Sequence, residues 1–266
     1  APESASNGCF DLKLSEQEGF TNSGRSTAIV DNGTFINSGL VPSFGYSPDG
    51  ELSDDDTRRK HDLPPKERMA AVDDLQARQN TYISRDSDWI DFDCVVCTDP
   101  DQLAIAPGYL KEEFTRDDRR CFRYAMDAPI LNFYSFLSAR YVVQRDAWND
   151  VAIEVWHHPG HEYNVQKMID ATKKSLDYYT VAFGPYQHRQ VRIVEFPRYA
   201  SFAQSFPNTI PYSESIGFIA RVKDPQDDID YPFYVTAHEV AHQWFAHQII
   251  GGNVQGSTLL SESMSQ

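Results

Sequence analysis

The pattern of apolar and polar positions changes near residue 150. Before it, short apolar runs are separated by turn-forming residues, and these runs lie at residues 6–46, 89–106, 120–126 and 131–144. Short apolar runs between turn residues predict β-strands. The charged stretch 49–80 between them predicts a surface excursion that ends in a short helix. We therefore predict a mainly β N-terminal domain over residues 1–150.

After residue 150, strand and helix patterns alternate. Residues 164–183 place apolar side chains on one helical face, as shown by Val165, Met168, Ile169, Thr172, Leu176 and Tyr179. A second helical pattern covers residues 234–250. Strands are predicted at residues 151–156, 190–196 and 215–222. These elements predict a second domain over residues 151–266 and an α+β fold.

The second helical pattern contains the sequence H-E-V-A-H, which begins at His238 and ends at His242. Residues four apart lie on the same face of a helix, so both imidazoles can reach one cation. Glu239 lies beside them and can serve as a general base for a water molecule at the metal. The spacing therefore predicts a zinc site with its own base, and the alternative is two ordinary helix histidines.

A catalytic zinc ion normally has three protein ligands, so the motif needs one more. Glu262 follows the turn sequence Gly251-Gly252-Asn253 and is the candidate for the third ligand. The alternative for Glu262 is an ordinary surface carboxylate. The predicted metal ligands are thus His238, His242 and Glu262, with zinc as the cofactor.

Composition excludes several classes of function. The chain has 266 residues, of which 41% are hydrophobic and 13% aromatic, so it can bury a substantial core. Its net charge of −15 argues against binding to nucleic acid or to an anionic membrane surface, because both require clustered lysine and arginine. No apolar stretch is long enough to cross a membrane, so the chain as given is predicted to be soluble.

Two other clusters of possible metal ligands are weaker candidates. Cys94 and Cys97 are three residues apart in a predicted strand, where their side chains would point to opposite faces, so we reject a zinc knuckle and a redox pair. The four cysteines decide neither compartment nor function. His157, His158 and His161 surround a Pro-Gly turn, and this arrangement favours a polar loop over a second metal site.

The zinc motif and its flanks resemble a known family, the gluzincin aminopeptidases of the aminopeptidase N and leukotriene hydrolase type. The segment H-E-V-A-H-Q-W-F from His238 is similar to the zinc helix of that family. The segment Y-S-E-S-I-G-F-I from Tyr212 resembles part of its exopeptidase segment and keeps a glutamate, Glu214. The interval from His242 to Glu262 is one residue longer than the family pattern, which a loop can absorb.

The resemblance implies a saddle-like β domain followed by the first part of a thermolysin-like domain. It implies an aminopeptidase in which zinc and the Glu239 base activate water, and in which Glu214 binds the free α-amine of a peptide substrate. By a looser analogy, Asn37 would help to hold that amine. The family uses a tyrosine downstream of the third zinc ligand as an oxyanion donor, and we expect this fragment without it to be weakly active or inactive.

Other segments are similar to one branch of the family, namely the aminopeptidase-like domains of bacterial membrane proteins that also carry ABC-transporter permease spans. These segments are A-H-Q-I-I-G from Ala246, Q-G-S-T from Gln255 and Q-S-F-P-N-T-I from Gln204. The resemblance implies that the chain is a soluble piece of a membrane-associated parent, cut after the third zinc ligand. Permease segments of that parent would then be a partner, and the side of the membrane is not implied.

Two alternatives to an aminopeptidase stay open. A non-catalytic scaffold with an aminopeptidase-like fold would bind a partner, since fold alone does not imply activity. An endopeptidase of the thermolysin type would use the same zinc site without needing a free α-amine. Glu214 distinguishes the two peptidase types, because only an aminopeptidase needs a carboxylate for the amine.

Overall fold

The computed structural model describes residues 29–30, 33–37, 51–66, 69–83, 89–224 and 227–266. Helices and strands are mixed in it, which confirms the predicted α+β fold class. Most of the predicted β region at residues 6–46 lies outside the described residues. Its described part forms two short strands, β1 (Ile29–Val30) and β2 (Gly33–Asn37).

Two antiparallel sheets form the part of the chain before residue 140. The first sheet has the order β1-β2-β7-β4, and the second has the order β3-β6-β5. Their remaining strands are β3 (Asp93–Thr98), β4 (Leu103–Ile105), β5 (Tyr109–Arg116), β6 (Arg119–Ala125) and β7 (Ser135–Ala139). A buried cluster that includes Phe92, Phe122 and Tyr124 packs between the two sheets.

A third sheet carries the elements that lead to the candidate site. It has the order β11-β10-β9-β8, with β8 (Val142–Trp148), β9 (Val151–His157), β10 (Gln190–Phe196) and β11 (Thr209–Ser213). Strands β9, β10 and β11 are parallel, and β8 is antiparallel to β9. Parallel strands are normally covered on both faces, and β10 is buried from Val191 to Phe196.

Two helices cover one face of this sheet. The predicted amphipathic helix is confirmed as α2 (Val165–Phe183), and its apolar face includes Met168, Ile169 and Leu176. Helix α3 (Tyr231–Ala241) packs against α2. Together with the sheet they enclose the largest buried cluster, which also contains Trp244 and Phe245.

Strand β5 was missing from the sequence prediction. Its sequence, YLKEEFTR, is mostly polar and its side chains are largely exposed, so the apolar pattern gave no signal. The strand is paired with β6 through a tight hairpin at Asp117 and Asp118, both of which have positive φ angles of 50° and 58°. Two positive φ angles are typical of a type I′ hairpin turn, which matches strand twist.

The predicted strand at residues 215–222 was wrong. The third parallel strand is β11, and the chain then turns at residues 214–219. The side chain of Asn164 donates hydrogen bonds to the carbonyls of Gly217 and Ala220, at 2.6 and 2.7 Å, and this holds the turn. A Cβ atom on Gly217 would lie 2.3 Å from the ring of Tyr212, so only glycine fits beneath that ring.

The helix predicted at residues 234–250 begins earlier and ends earlier than predicted. Helix α3 starts after Asp230, whose side chain accepts a hydrogen bond from Phe233 N, and it ends at Ala241. After Ala241 the helix does not continue, and the side chains form hydrogen bonds to distant parts of the chain. Gln243 bonds to Phe206 O and Trp244 to Gly184 O, at 2.9 and 3.0 Å. These tertiary contacts override the helical pattern.

The charged excursion is confirmed as exposed, but it also contacts the region of the zinc motif. It contains α1 (Asp55–Lys60) and a 3₁₀ turn (Ala77–Gln79). Beyond them the excursion meets the loop after α3, where Asn253 N donates to Asn80 O at 2.7 Å. The domain boundary proposed at residue 150 stays a prediction. Strand β8 lies before this boundary and pairs with β9, which lies after it.

Cys97 forms a disulfide with Cys121, its cross-strand neighbour in β6, so the C-x-x-C segment is not a redox pair. Cys94 is a free cysteine within the described part of the chain. No helix in that part combines the length and apolarity needed to cross a membrane.

We expect the contribution of His188 to the free energy of unfolding to fall as the pH drops below about 6.5. Burial lowers the pKa of His188 to about 3, and its Nε2 atom is enclosed without a hydrogen-bond partner. A folded pKa below the unfolded value means that the unfolded chain binds the extra proton between those two values, so stability is lost as pH falls through this window. The contribution of His188 should be about 2 kcal/mol between pH 6.5 and pH 5.

Urea denaturation of the wild type and His188→Asn at pH 7 and pH 5 measures this contribution. From pH 7 to pH 5, the free energy of unfolding of the wild type should change in the destabilising direction relative to that of His188→Asn, by about 2 kcal/mol. Exposed His61 provides the control, because His61→Asn should keep the wild-type pH dependence. An equal pH dependence in wild type and His188→Asn would contradict the assignment.

Candidate metal centre

Helix α3 presents the two histidines of the motif from consecutive turns. Asp230 caps its first turn, and Pro232 follows near its start, where the missing N–H costs nothing. His238 lies in the last turn and His242 is the C-terminal cap. Their Nε2 atoms are 3.1 Å apart, and both rings are largely buried. The i, i+4 spacing thus brings both imidazoles together, as predicted.

The other ring nitrogens fix the tautomers of these histidines. His238 Nδ1 lies 3.1 Å from the carbonyl oxygen of Ser265, and His242 Nδ1 lies 3.1 Å from that of Phe245. A carbonyl oxygen can only accept, so each Nδ1 must carry the hydrogen. In neutral rings the two Nε2 atoms then face each other as lone pairs, with no hydrogen between them. Such a pair is repulsive until a cation lies between the two atoms.

Glu262 lies beside the two histidines and is the third candidate ligand. It belongs to a short π-helical segment (Leu259–Ser263), and its Oε2 atom lies 3.4 Å from His238 Nε2 and 3.7 Å from His242 Nε2. These three donor atoms all lie within 4.8 Å of one another. Two imidazoles and one carboxylate are a donor set that catalytic zinc uses. The donor set and the lone-pair geometry therefore fit a zinc ion held by His238, His242 and Glu262.

Glu239 is buried beside the ligands and is 5% exposed. Its Oε2 atom is enclosed and has no hydrogen-bond partner. Burial raises the pKa of Glu239 to about 8, and the Glu262 carboxylate adds to this effect. A cation held by the histidines would lower this pKa, because it favours the charged carboxylate. Glu239 therefore has the position of a general base.

The metal centre opens into a cavity of about 360 Å³. Its described walls combine the motif with separate segments of the chain, and the lining residues include Tyr82, Phe133, Ala203, Gln204, Ser205 and Ala246. Tyr82 lies just beyond the charged excursion and shares a hydrogen bond with Ser261. Tyr82 therefore helps to position the segment that carries Glu262. Nothing in the sequence around Tyr82 indicated this role.

The two predicted substrate-binding residues do not line this cavity. Glu214 is the residue after β11. Its Oε1 atom accepts a hydrogen bond from Arg198 N at 3.0 Å, and its Oε2 atom lies 4.0 Å from His161 Nδ1. Asn37 is the last residue of β2 and pairs with Ser135 of β7. Within the described residues, the edge of the cavity is formed instead by Ala203, Gln204 and Ser205. The role of Glu214 and Asn37 in binding an amine stays a prediction.

Sequence reasoning missed the groups that hold the motif in place. The carbonyls of Ser265 and Phe245 are backbone groups, so no residue type could reveal them. The hydroxyl of Ser265 lies 3.2 Å from His242 Nδ1 and donates to Ser261 O at 2.7 Å. Ser261 and Ser265 thus link the π-helical segment to α3. In the sequence, the serines on either side of Glu262 were the available signal that this segment is held in place.

Comparison with known proteins gives one partial similarity. Residues of this chain are 32% identical over 85 positions to "Probable aminopeptidase 1" of Sulfurisphaera tokodaii. The match covers 30% of this chain and 10% of that relative, so the chain spans only a small part of the relative's length. No protein-family model matches the chain.

Proposed function

We propose that this chain carries the metal centre of a zinc metallopeptidase, of the aminopeptidase type. The observation that carries the proposal is the pair of Nε2 atoms, 3.1 Å apart, beside Glu262 and the buried Glu239, whose Oε2 atom has no hydrogen-bond partner. The partial similarity to a protein named as an aminopeptidase supports peptides as the substrate class. Hydrolysis of peptides uses this combination of a metal site and an adjacent carboxylate base.

When bound, zinc would polarise the scissile carbonyl and lower the pKa of a water molecule. The protein's residues have separate tasks. His238, His242 and Glu262 hold the cation, and the carbonyls of Ser265 and Phe245 orient the two rings. Glu239 accepts the proton of the attacking water and delivers it to the leaving amine.

The endopeptidase alternative is favoured by one observation. Among the described residues that line the cavity, the carboxylates are Glu239 and Glu262, which already have tasks as base and ligand. An aminopeptidase needs a further anion for the substrate ammonium group. Glu214 would have to provide it from outside the described cavity wall.

Cleavage of matched peptides separates these possibilities. We would compare peptides with free and with acetylated N-termini, using mass spectrometry, for the zinc-loaded wild type and Glu214→Gln. An aminopeptidase should release the first residue of free peptides, and if Glu214 binds the substrate amine, Glu214→Gln should raise KM for them. Internal cleavage of acetylated peptides, unaffected by Glu214→Gln, would establish the endopeptidase. A zinc-loaded chain that cleaves neither substrate would favour the non-catalytic scaffold, and a permease-linked parent stays an expectation from the resemblance.

A further inference from the structure

A second cluster of metal-ligating groups lies at the carboxyl edge of the parallel strands. Strand β9 ends at His157, and the chain turns through Gly160, which has a φ angle of 89°, to reach His161. Glu195 is the penultimate residue of β10, and Glu214 directly follows β11. Because the three strands are parallel, their carboxyl ends meet at one edge, which is a common position for ligand sites. None of these residues belongs to the metal centre at α3.

Backbone groups orient both carboxylates of the cluster. Glu195 Oε2 accepts a hydrogen bond from His158 N at 2.7 Å, and Glu214 Oε1 accepts one from Arg198 N at 3.0 Å. The second oxygen of each carboxylate faces the same ring nitrogen. Glu195 Oε1 lies 2.5 Å from His161 Nδ1, and Glu214 Oε2 lies 4.0 Å from it. Hydrogen bonds that fix one oxygen while directing the other inward are typical of carboxylate ligands.

The three inward atoms have the spacing of a ligand set. They all lie within 4.8 Å of one another, as do the donor atoms of the metal centre at α3. Bonds of about 2.1 Å to one cation require donor atoms roughly 3 to 4 Å apart. Replacing the hydrogen between His161 Nδ1 and Glu195 Oε1 with a cation requires only a small outward movement of the half-buried His161 ring.

The charges of the cluster also favour a cation. The Glu195 side chain has no exposed surface, and that of Glu214 is 14% exposed. Throughout the described ranges, the ion-pair partner found for both carboxylates is His161. A buried carboxylate charge is costly unless it is compensated, and these two carboxylates share a single histidine. A divalent cation would neutralise both.

We propose that His161, Glu195 and Glu214 bind a divalent first-row transition-metal cation at a second site, distinct from the His238 centre. One imidazole and two carboxylates suit Mn²⁺ or Zn²⁺. The half-buried position of His161 leaves the cation open to water ligands on one side. The cation joins the turn after β9 to the ends of β10 and β11. A Glu214 carboxylate that binds a cation in this site would not be available to bind a substrate amine.

Metal stoichiometry tests this proposal without an activity assay. We would measure Zn²⁺ and Mn²⁺ binding by equilibrium dialysis on the wild-type chain, on His238→Ala/His242→Ala, and on Glu195→Gln. We expect about two zinc equivalents for the wild type and about one for each variant. The double-alanine variant should bind Mn²⁺, and this binding should raise its melting temperature. If the α3 centre failed to bind zinc, the wild-type count would fall by one, but the single equivalent of the double-alanine variant, which belongs to the second site, would be unaffected.

Glu154→Gln is the matched control. Glu154 lies on the neighbouring strand β9 and pairs with exposed Arg145 at 3.0 Å, so its substitution should keep both equivalents. If Glu195→Gln does not fold, Glu214→Gln provides the same measurement at a less buried position. A His238→Ala/His242→Ala variant that binds no metal at saturation, or a Glu214→Gln variant that binds as many equivalents as the wild type, would overturn the proposal. The cluster would then be a hydrogen-bonded His–Glu pair.

Discussion

Replacement of His238 by alanine should lower zinc affinity at the α3 centre by more than a hundredfold. Loss of a group that only orients a ligand typically costs about ten- to a hundredfold in affinity, and loss of the ligand itself should cost more. The variant leaves His242 and Glu262 as a two-ligand set, with Glu262 60% exposed and free to turn towards solvent. Competition with a chelator, measured in the Glu195→Gln background, isolates this site from the second one.

The control for this prediction is His61→Ala, which removes an exposed histidine outside both clusters. It should keep the wild-type zinc affinity. The His238→Ala variant should also retain its fold, because the histidine contributes one side chain at the surface of the cavity. If His238→Ala still bound zinc with unchanged affinity, the ligand set would be wrong and the two facing Nε2 atoms would need another explanation.

Local patterns predicted the parts of the structure that depend on local spacing. The apolar stripe from Val165 to Tyr179 predicted α2, because one helical face is enough to bury those side chains. The i, i+4 spacing of His238 and His242 predicted that their rings would meet, and the structure places them 3.1 Å apart. Strand β10 has the bounds that were predicted from the sequence, residues 190–196.

Features that depend on distant parts of the chain were not predictable in this way. Strand β5 is polar because its side chains are exposed, and its existence depends on pairing with β6. The ends of α3 and β11 are set by contacts from Asn164 and Gln243 to distant backbone groups. His161 was predicted to lie in a polar loop, since its sequence does not reveal that Glu195 and Glu214 come from other strands. The carbonyl groups that orient the histidines belong to the backbone, which is the same at every residue, so the sequence cannot reveal them.

Substitution of Glu239 by glutamine should reduce peptide hydrolysis by about a hundred- to ten-thousandfold, the contribution typical of a general base. Glutamine has nearly the same shape but cannot accept the proton of the attacking water. Zinc affinity should change little, because Glu239 is not one of the three ligands. The melting temperature should be unchanged or higher, since the substitution removes a buried carboxyl that has an unpartnered oxygen.

The two measurements together distinguish a base from a structural residue. Zinc content and melting temperature are compared with the turnover of the free and acetylated peptides, for wild type and Glu239→Gln. Glu112→Gln, on exposed strand β5, is the control and should behave as the wild type in every measurement. If Glu239→Gln kept wild-type turnover, another group would have to accept the proton. If Glu239→Gln lost zinc together with turnover, Glu239 would act by holding the ligands in place. The assignment of Glu239 as the general base would then be wrong.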